Sequence, residues 1–169
     1  MLADFQHGLR FITKERVTAS DVVVGTDGIE GSIASRNWTD RTVAFSLRFD
    51  HPIADSRQLT AAAGDKAPRY LLAFNLGPDA TLHAKVALST TDVDGARRNM
   101  AELPGWDFDA VANAAGAEWE ALLDRVRIDA DDRSKRIFYT ALYHAFLHPS
   151  VISDVDGRYR GGDGKIAQA

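Results

Sequence analysis

The segment 153–165, "SDVDGRYRGGDGK", gathers Asp154, Asp156, Tyr159 and Asp163 among glycines. Short acids accept hydrogen bonds from hydroxyl groups, and a tyrosine adds a donor and an aromatic face. Glycine lets backbone approach a ligand closely. Together these are means of meeting a polar ligand, and the residue types by themselves select no substrate. The same residue types shape turns, which stands as the alternative for any Asp-Gly pair. A calcium loop of EF-hand type does not fit. It needs oxygen ligands at its first, third and fifth positions, glycine at the sixth and glutamate at the twelfth. Counted from Asp154, the fifth, sixth and twelfth places hold Arg158, Tyr159 and Lys165. "DVDG" at Asp92–Gly95 repeats the tetrapeptide without its surroundings and reads as a turn.

Other chemistry is thinner. His144 and His148 stand four apart and would share a helix face, but the glutamate of a HExxH zinc site is missing and no third ligand is evident. No metal site is assigned. The absence of cysteine removes disulfides, thiolate metal sites and a thiol nucleophile together. Trp106, Trp119, Tyr139 and Tyr143 could stack on the C–H face of a pyranose; at helical spacing aromatics are more often core. There is no G-x-S-x-G elbow, P-loop or GxGxxG. Glycosidases work with two carboxylates on opposite sides of a sugar. Among 24 acids, composition cannot select such a pair, so no catalytic residue is assigned.

A chain of 169 residues with 45% apolar and 26% charged content fits one soluble domain, or a small domain with an appendage. Its net charge is −4, and no basic run marks a phosphate-binding surface, which excludes nucleic acid as a partner. No apolar stretch approaches the roughly 20 residues needed to span a bilayer, so no membrane partner is expected. The N-terminus "MLADFQHGLRF" carries an early Asp and no apolar h-region, so no secretory signal is read there.

The elements that must position these residues change period along the chain. Up to about residue 92 the pattern is that of strands. In "TVAFSLRFD", Val43, Phe45, Leu47 and Phe49 alternate with Thr42, Ala44, Ser46 and Arg48, which predicts one face on a core and one toward water. "TLHAKVALST" repeats this, with Leu82, Ala84, Val86 and Leu88 set against His83, Lys85 and Ser89. "DVVVGTDGIEGSIAS" reads as two strands about a Thr26-Asp27-Gly28 turn, and "YLLAFNL" as a more buried strand. The stretch from Asp50 to Arg69 has no clear period and reads as a long connection. After "ELPGWDFD" the spacing of Val111, Ala115, Trp119, Leu122 and Val126 is one helical stripe, capped by Asp107 or Asp109. A second helix capped by Asp131 or Asp132 runs through Ile137, Ala141 and Ala145 and stops at Pro149. It is apolar nearly all round, with Phe138, Leu142, Tyr143 and Phe146, and so expects burial against more protein than a small sheet offers. The expected fold class is mainly β with C-terminal helices: an antiparallel β-sandwich portion over 1–104 and helices over 105–169.

The ordered strings "GIEGSIAS", "FSLRFDHPI", "VALSTTDVDGARRNMAELPGWDFDAVANAAGAEWEALLDRVRI" and "RSKRIFYTALYHAFLHPSVISDVDGRYRGGDGK" resemble glycoside hydrolase family 92. The most specific parts are "FYTALYH" followed by "P…DVDGRYRGGD", and the E-x-P-x-W-x-F run from Glu102 to Phe108. The family is one of calcium-dependent, inverting exo-α-mannosidases. The resemblance implies an N-terminal β-sandwich, a helical linker and an (α/α)6 barrel, with the active site between the two domains and commonly export from the cytoplasm. It further implies that this chain is a fragment holding the later sandwich strands, the linker and the first barrel segment. The catalytic carboxylates and calcium ligands of such proteins would lie beyond Ala169, so calcium is expected in the full-length family and none bound by this chain. The implied partners are an α-mannoside or N-glycan-type carbohydrate and the missing barrel domain. The segment around Asp154 to Asp163 would then lead toward the cleft, and the resemblance implies Asp154, Asp156, Tyr159 and Asp163 as the candidate substrate-binding residues. The other reading open at this point is a non-catalytic carbohydrate-binding or structural β-sandwich module.

Overall fold

Two antiparallel sheets build the larger part of the computed structural model, which describes residues 1–7, 17–36, 39–78, 81–148 and 150–169. One sheet has the order β1 (Leu2–Asp4), β6 (Arg69–Phe74), β5 (Ile53–Gln58). The other runs β2 (Val17–Val24), β3 (Gly28–Arg36), β4 (Asp40–Phe49), β7 (Ala84–Ser89). The core draws on both: Ala3 and Leu72 from the first, Ile29, Phe45 and Phe49 from the second. Phe5 stacks on Phe45 with ring centroids 5.0 Å apart, and Phe49 meets Phe74 edge-on at 4.9 Å. This is the expected antiparallel sandwich. The Thr26–Gly28 turn also stands, closed by the Gly25 amide donating to the Gly28 carbonyl at 2.8 Å.

Burial departs from the strand periodicity in instructive places. On β4 the face that carries Ala44 and Ser46 is not in water. Both are buried, because helix α1 (Val93–Met100) lies over the outer side of β4 and β7. On β7 the expected apolar face is the exposed one. Pairing of Leu88 with Phe45 and Val86 with Leu47 sets both on the inner side of the sheet. There, at the edge strand, Val86 is 56% and Leu88 59% exposed. Ala87 and Ser89, on the α1 side, are buried instead. The "YLLAFNL" strand is buried on one face only: Leu72 is core, while Leu71 is exposed.

Several elements lie where no element was expected. Asp92–Gly95 is no free turn. Asp92 caps α1, its Oδ1 accepting from the Gly95 amide at 2.7 Å, with Asp94 in the first turn and Arg97 and Arg98 in the last. The aperiodic stretch from Asp50 to Arg69 contains β5, paired antiparallel to β6 through a register shift between Ile53 and Asp55 that blurs the alternation. The C-terminus folds into a hairpin of β8 (Arg158–Arg160) and β9 (Ile166–Gln168).

The chain divides into two compact units, Met1–Pro104 with Ser153–Ala169, and Gly105–Ile152. The second holds α2 (Phe108–Leu123), capped by Asp107, and α3 (Asp132–Phe146), capped by Asp131. Trp119 of α2 packs on Tyr143 of α3 with ring centroids 4.5 Å apart, and the Tyr139 hydroxyl donates to the Val126 carbonyl at 3.0 Å. Neither helix has a buried residue. Pro149, the expected stop of α3, lies outside the described residues. No helix among the described residues is long and apolar enough to cross a membrane.

Candidate functional site

The four candidate residues lie in the C-terminal hairpin and the turn that leads into it, each in a different environment. It starts with a turn in which the Gly157 amide donates to the Asp154 carbonyl at 2.8 Å and the Asp154 amide to the Arg158 carbonyl at 2.7 Å. Gly157 sits at φ +81, a conformation that strains any residue with a Cβ, which is why glycine follows Asp156. The hairpin tip closes through the Gly161 amide on the Lys165 carbonyl at 2.8 Å. Asp163 there accepts from the Lys165 amide at 3.0 Å and is exposed.

Asp154 is not at the surface. It is 4% exposed, and its Oδ2 accepts from Ser89 Oγ at 2.7 Å and Thr91 Oγ1 at 2.6 Å. Its Oδ1 accepts from Asn99 Nδ2 at 2.8 Å. Sequence reasoning placed Asp154 facing a ligand; here its oxygens are occupied by β7, the bend after it and α1. Asn99 also donates to the Leu88 carbonyl at 2.8 Å and accepts from the Val155 amide at 2.9 Å.

Asp156 lies in an ion-pair chain. Its Oδ2 is 2.9 Å from Arg98 Nε and 3.2 Å from Arg158 Nε, and Arg158 Nη2 is 3.1 Å from Asp92. The Arg158 amide, then the charges of Arg98 and Arg158, hold the Asp156 carboxyl below its ordinary range against the opposing effect of burial. The Gly95 amide and Arg158 do the same for Asp92. Arg160 donates to the carbonyls of Thr90 at 2.8 Å, Thr91 at 2.7 Å and Gly164 at 2.8 Å. Arg158 and Arg160 therefore fasten one face of β8 to the α1 cap and the 90–91 bend. Tyr159, between them, projects from the opposite face by the alternation of a strand. It is half-buried.

Among the described residues, every carboxylate with a resolved shift is lowered, which is the state of a hydrogen-bond acceptor and not of a poised acid. No group of three or more His, Cys, Asp or Glu among the described residues is placed to hold a metal ion. A separate open cleft of about 530 Å3 lies between β2 and the β5–β6 connection, lined among others by Asp21, Gln58, Asp65, Arg69 and Tyr70.

Residues 95–169 match the family model described as "Glycosyl hydrolase family 92 catalytic domain". The resemblance to glycoside hydrolase family 92 is borne out. The fold is similar to that of a family 92 α-mannosidase from Bacteroides thetaiotaomicron, with a TM-score of 0.83 over 92% of this chain at 28% identity. The same values hold for that mannosidase in complex with mannoimidazole. A family 92 inverting mannosidase from the same organism shares the fold at a TM-score of 0.79 over 90% of this chain, with 19% identity. The chain spans 23% of the length of each of these family 92 structures. No curated protein matches the sequence.

The residues that sequence reasoning missed are the anchors: Ser89, Thr91, Gly95, Asn99, Arg158 and Arg160. The helix-capping signal at Asp92 with Arg97 and Arg98 downstream was present and could have revealed α1. Nothing local signals that Ser89 meets Asp154.

Proposed function

We propose that this chain is the sandwich, linker and first barrel segment of a calcium-dependent, inverting exo-α-mannosidase, and that alone it does not hydrolyse mannosides. The observation that carries the reading is the family 92 match over residues 95–169, supported by the similarity of fold over most of the chain. In this reading the hairpin faces an α-mannoside or N-glycan-type carbohydrate. Tyr159 offers an aromatic face and a hydroxyl. Asp163 and Asp156 offer acceptors to sugar hydroxyls, and Asp154 serves the same site from beneath. The catalytic acid and base, and the oxygen ligands for calcium, are supplied by the rest of such a protein.

The test is to incubate the purified chain with α-mannobiose and calcium. No mannose release is expected, and calcium-dependent release would overturn the reading. In a full-length family 92 mannosidase, alanine at the residues equivalent to Asp156 and Asp163 should lower kcat/KM with the thermal transition retained. Unchanged activity per folded molecule with a lowered Tm would remove both from the sugar site.

The cleft beside β2 favours a second reading. Its amide, carboxylate and guanidinium groups can hydrogen-bond to sugar hydroxyls, and Tyr70 offers an aromatic face. Saturable binding of α-mannobiose that Gln58→Ala abolishes, with the hairpin unaffected, would support that alternative.

A further inference from the structure

The polar cluster under the hairpin joins three elements that are distant in sequence. Ser89 ends β7, Thr91 lies in the bend that follows, and Asn99 sits in the last turn of α1; all three donate to the Asp154 carboxylate. No cation is paired with that carboxylate among the described residues. A buried carboxylate satisfied by neutral donors has little freedom to shift, since moving it strands the charge and three donors at once. The packing is equally tight. A Cβ on Gly95 would come within 2.5 Å of Ser89 Oγ and 2.7 Å of Thr91 Oγ1, and closer still to Asp154 Oδ2. The Asp154 backbone in turn forms the first turn of the hairpin through both its amide and its carbonyl.

We infer that Asp154 is a positioning residue: its carboxylate sets the C-terminal hairpin in register on α1 and β7, and so fixes where Tyr159 and Asp163 stand. The functional consequence rests on the mannoside reading above; the structural one does not. Arg158 and Arg160 hold the hairpin's flank through part-buried contacts, an ion pair to Asp92 and hydrogen bonds to the Thr90 and Thr91 carbonyls. Among the described residues Asp154 alone ties it through a buried group, so it is the member whose removal frees the hairpin as a unit.

Two measurements on the whole chain separate these claims. In hydrogen exchange, Asp154→Ala should speed the amides of 154–169 by about tenfold or more while those of β2, β3 and β4 keep their protection. Ser89→Ala, which removes one donor and leaves the carboxylate, should give a smaller change of the same pattern. Asp154→Asn should largely restore protection, because its oxygen accepts from Asn99 and the two hydroxyls can rotate to accept from its amide. Unchanged hairpin protection in Asp154→Ala, or equal loss across the sandwich, overturns the positioning role. Should Asp154→Ala fail to fold, Ser89→Ala decides by the same pattern: faster exchange confined to the hairpin supports the role, and unchanged hairpin protection overturns it.

The second measurement is titration with methyl α-mannoside, followed at the Tyr159 and Asp163 amides. Wild type and Asp154→Asn should respond alike, and Asp154→Ala about tenfold more weakly per folded molecule. Equal affinity in Asp154→Ala with the hairpin released would overturn the link to binding. No response in wild type overturns the mannoside reading of the hairpin, while the exchange result still decides the role of Asp154.

Discussion

Asp50 shows at the residue scale how a carboxylate clasps two turns of the sandwich. Its Oδ1 meets His51 Nδ1 at 2.8 Å, and its Oδ2 meets His83 Nδ1 at 2.6 Å. Burial pushes its pKa up, but the hydrogen bonds from His51 and His83 outweigh it and hold the group at about 2. A folded-state pKa below the unfolded value of roughly 3.9 contributes stability that is fully present above that value and is lost as pH falls toward about 2. The stability gap between wild type and Asp50→Asn, measured by urea unfolding, should therefore be at its full size above about pH 5 and should close between about pH 4 and 2. A gap constant over that range would show that the clasp acts through shape alone. Gly95 makes the opposite point, that the absence of an atom can be the requirement. Alanine there gains helix propensity but drives a methyl into Ser89, Thr91 and Asp154. Gly95→Ala should lower stability by about 1–3 kcal/mol, the range of overpacking, and loosen the hairpin with it.

Among the elements, β6 and β7 respond to substitution in ways their sequences invert. Leu72 of β6 is 2% exposed within the core, so Leu72→Ala should cost about 2–5 kcal/mol in denaturant unfolding. Leu88 of β7 has the same side chain on an equally regular strand, yet it is exposed. Leu88→Thr should stay within about 0.5 kcal/mol of wild type, as surface substitutions do. A large loss at Leu88 would mean that its face is covered in solution. Helix α1 depends on its cap, because eight residues make a marginal helix without packing and end contacts. Asp92→Ala should destabilise by about 0.5–2 kcal/mol through the lost cap.

For the whole molecule, the two units differ in how they bury apolar surface. The unit of β strands has a core shared by two sheets. In the helical unit, Phe108, Ile137, Tyr143, Phe146 and Leu147 are exposed, and α2 and α3 hold no buried residue. Exposed apolar surface of this kind binds hydrophobic dyes and promotes association. The isolated chain should bind such a dye in its native state, and Ile137→Gln with Phe146→Gln should reduce that binding without lowering the midpoint of the sandwich transition. A monodisperse chain with no dye binding would contradict this.

Much of the secondary structure was legible because it is encoded locally. Capping by Asp107 and Asp131 depends on residues three positions away, and the period of α2 on residues three or four away. The β2–β3 turn needed only Thr26, Asp27 and Gly28. The strings around Asp154 also sufficed for the family resemblance. What covers a strand is not encoded in that strand. Ser46 and Ala44 became buried because α1 lies over them, while Val86 and Leu88 were left in water at the edge of the sheet. Asp154 could be named as important but not placed, since its partner Ser89 is 65 residues away and only the tertiary fold brings the two within 2.7 Å. The sequence by itself determined the strands of the larger sheet, the two longer helices α2 and α3, and which acids cluster. The tertiary structure decided which of those acids is buried as an anchor, because burial is a property of the neighbours that packing supplies.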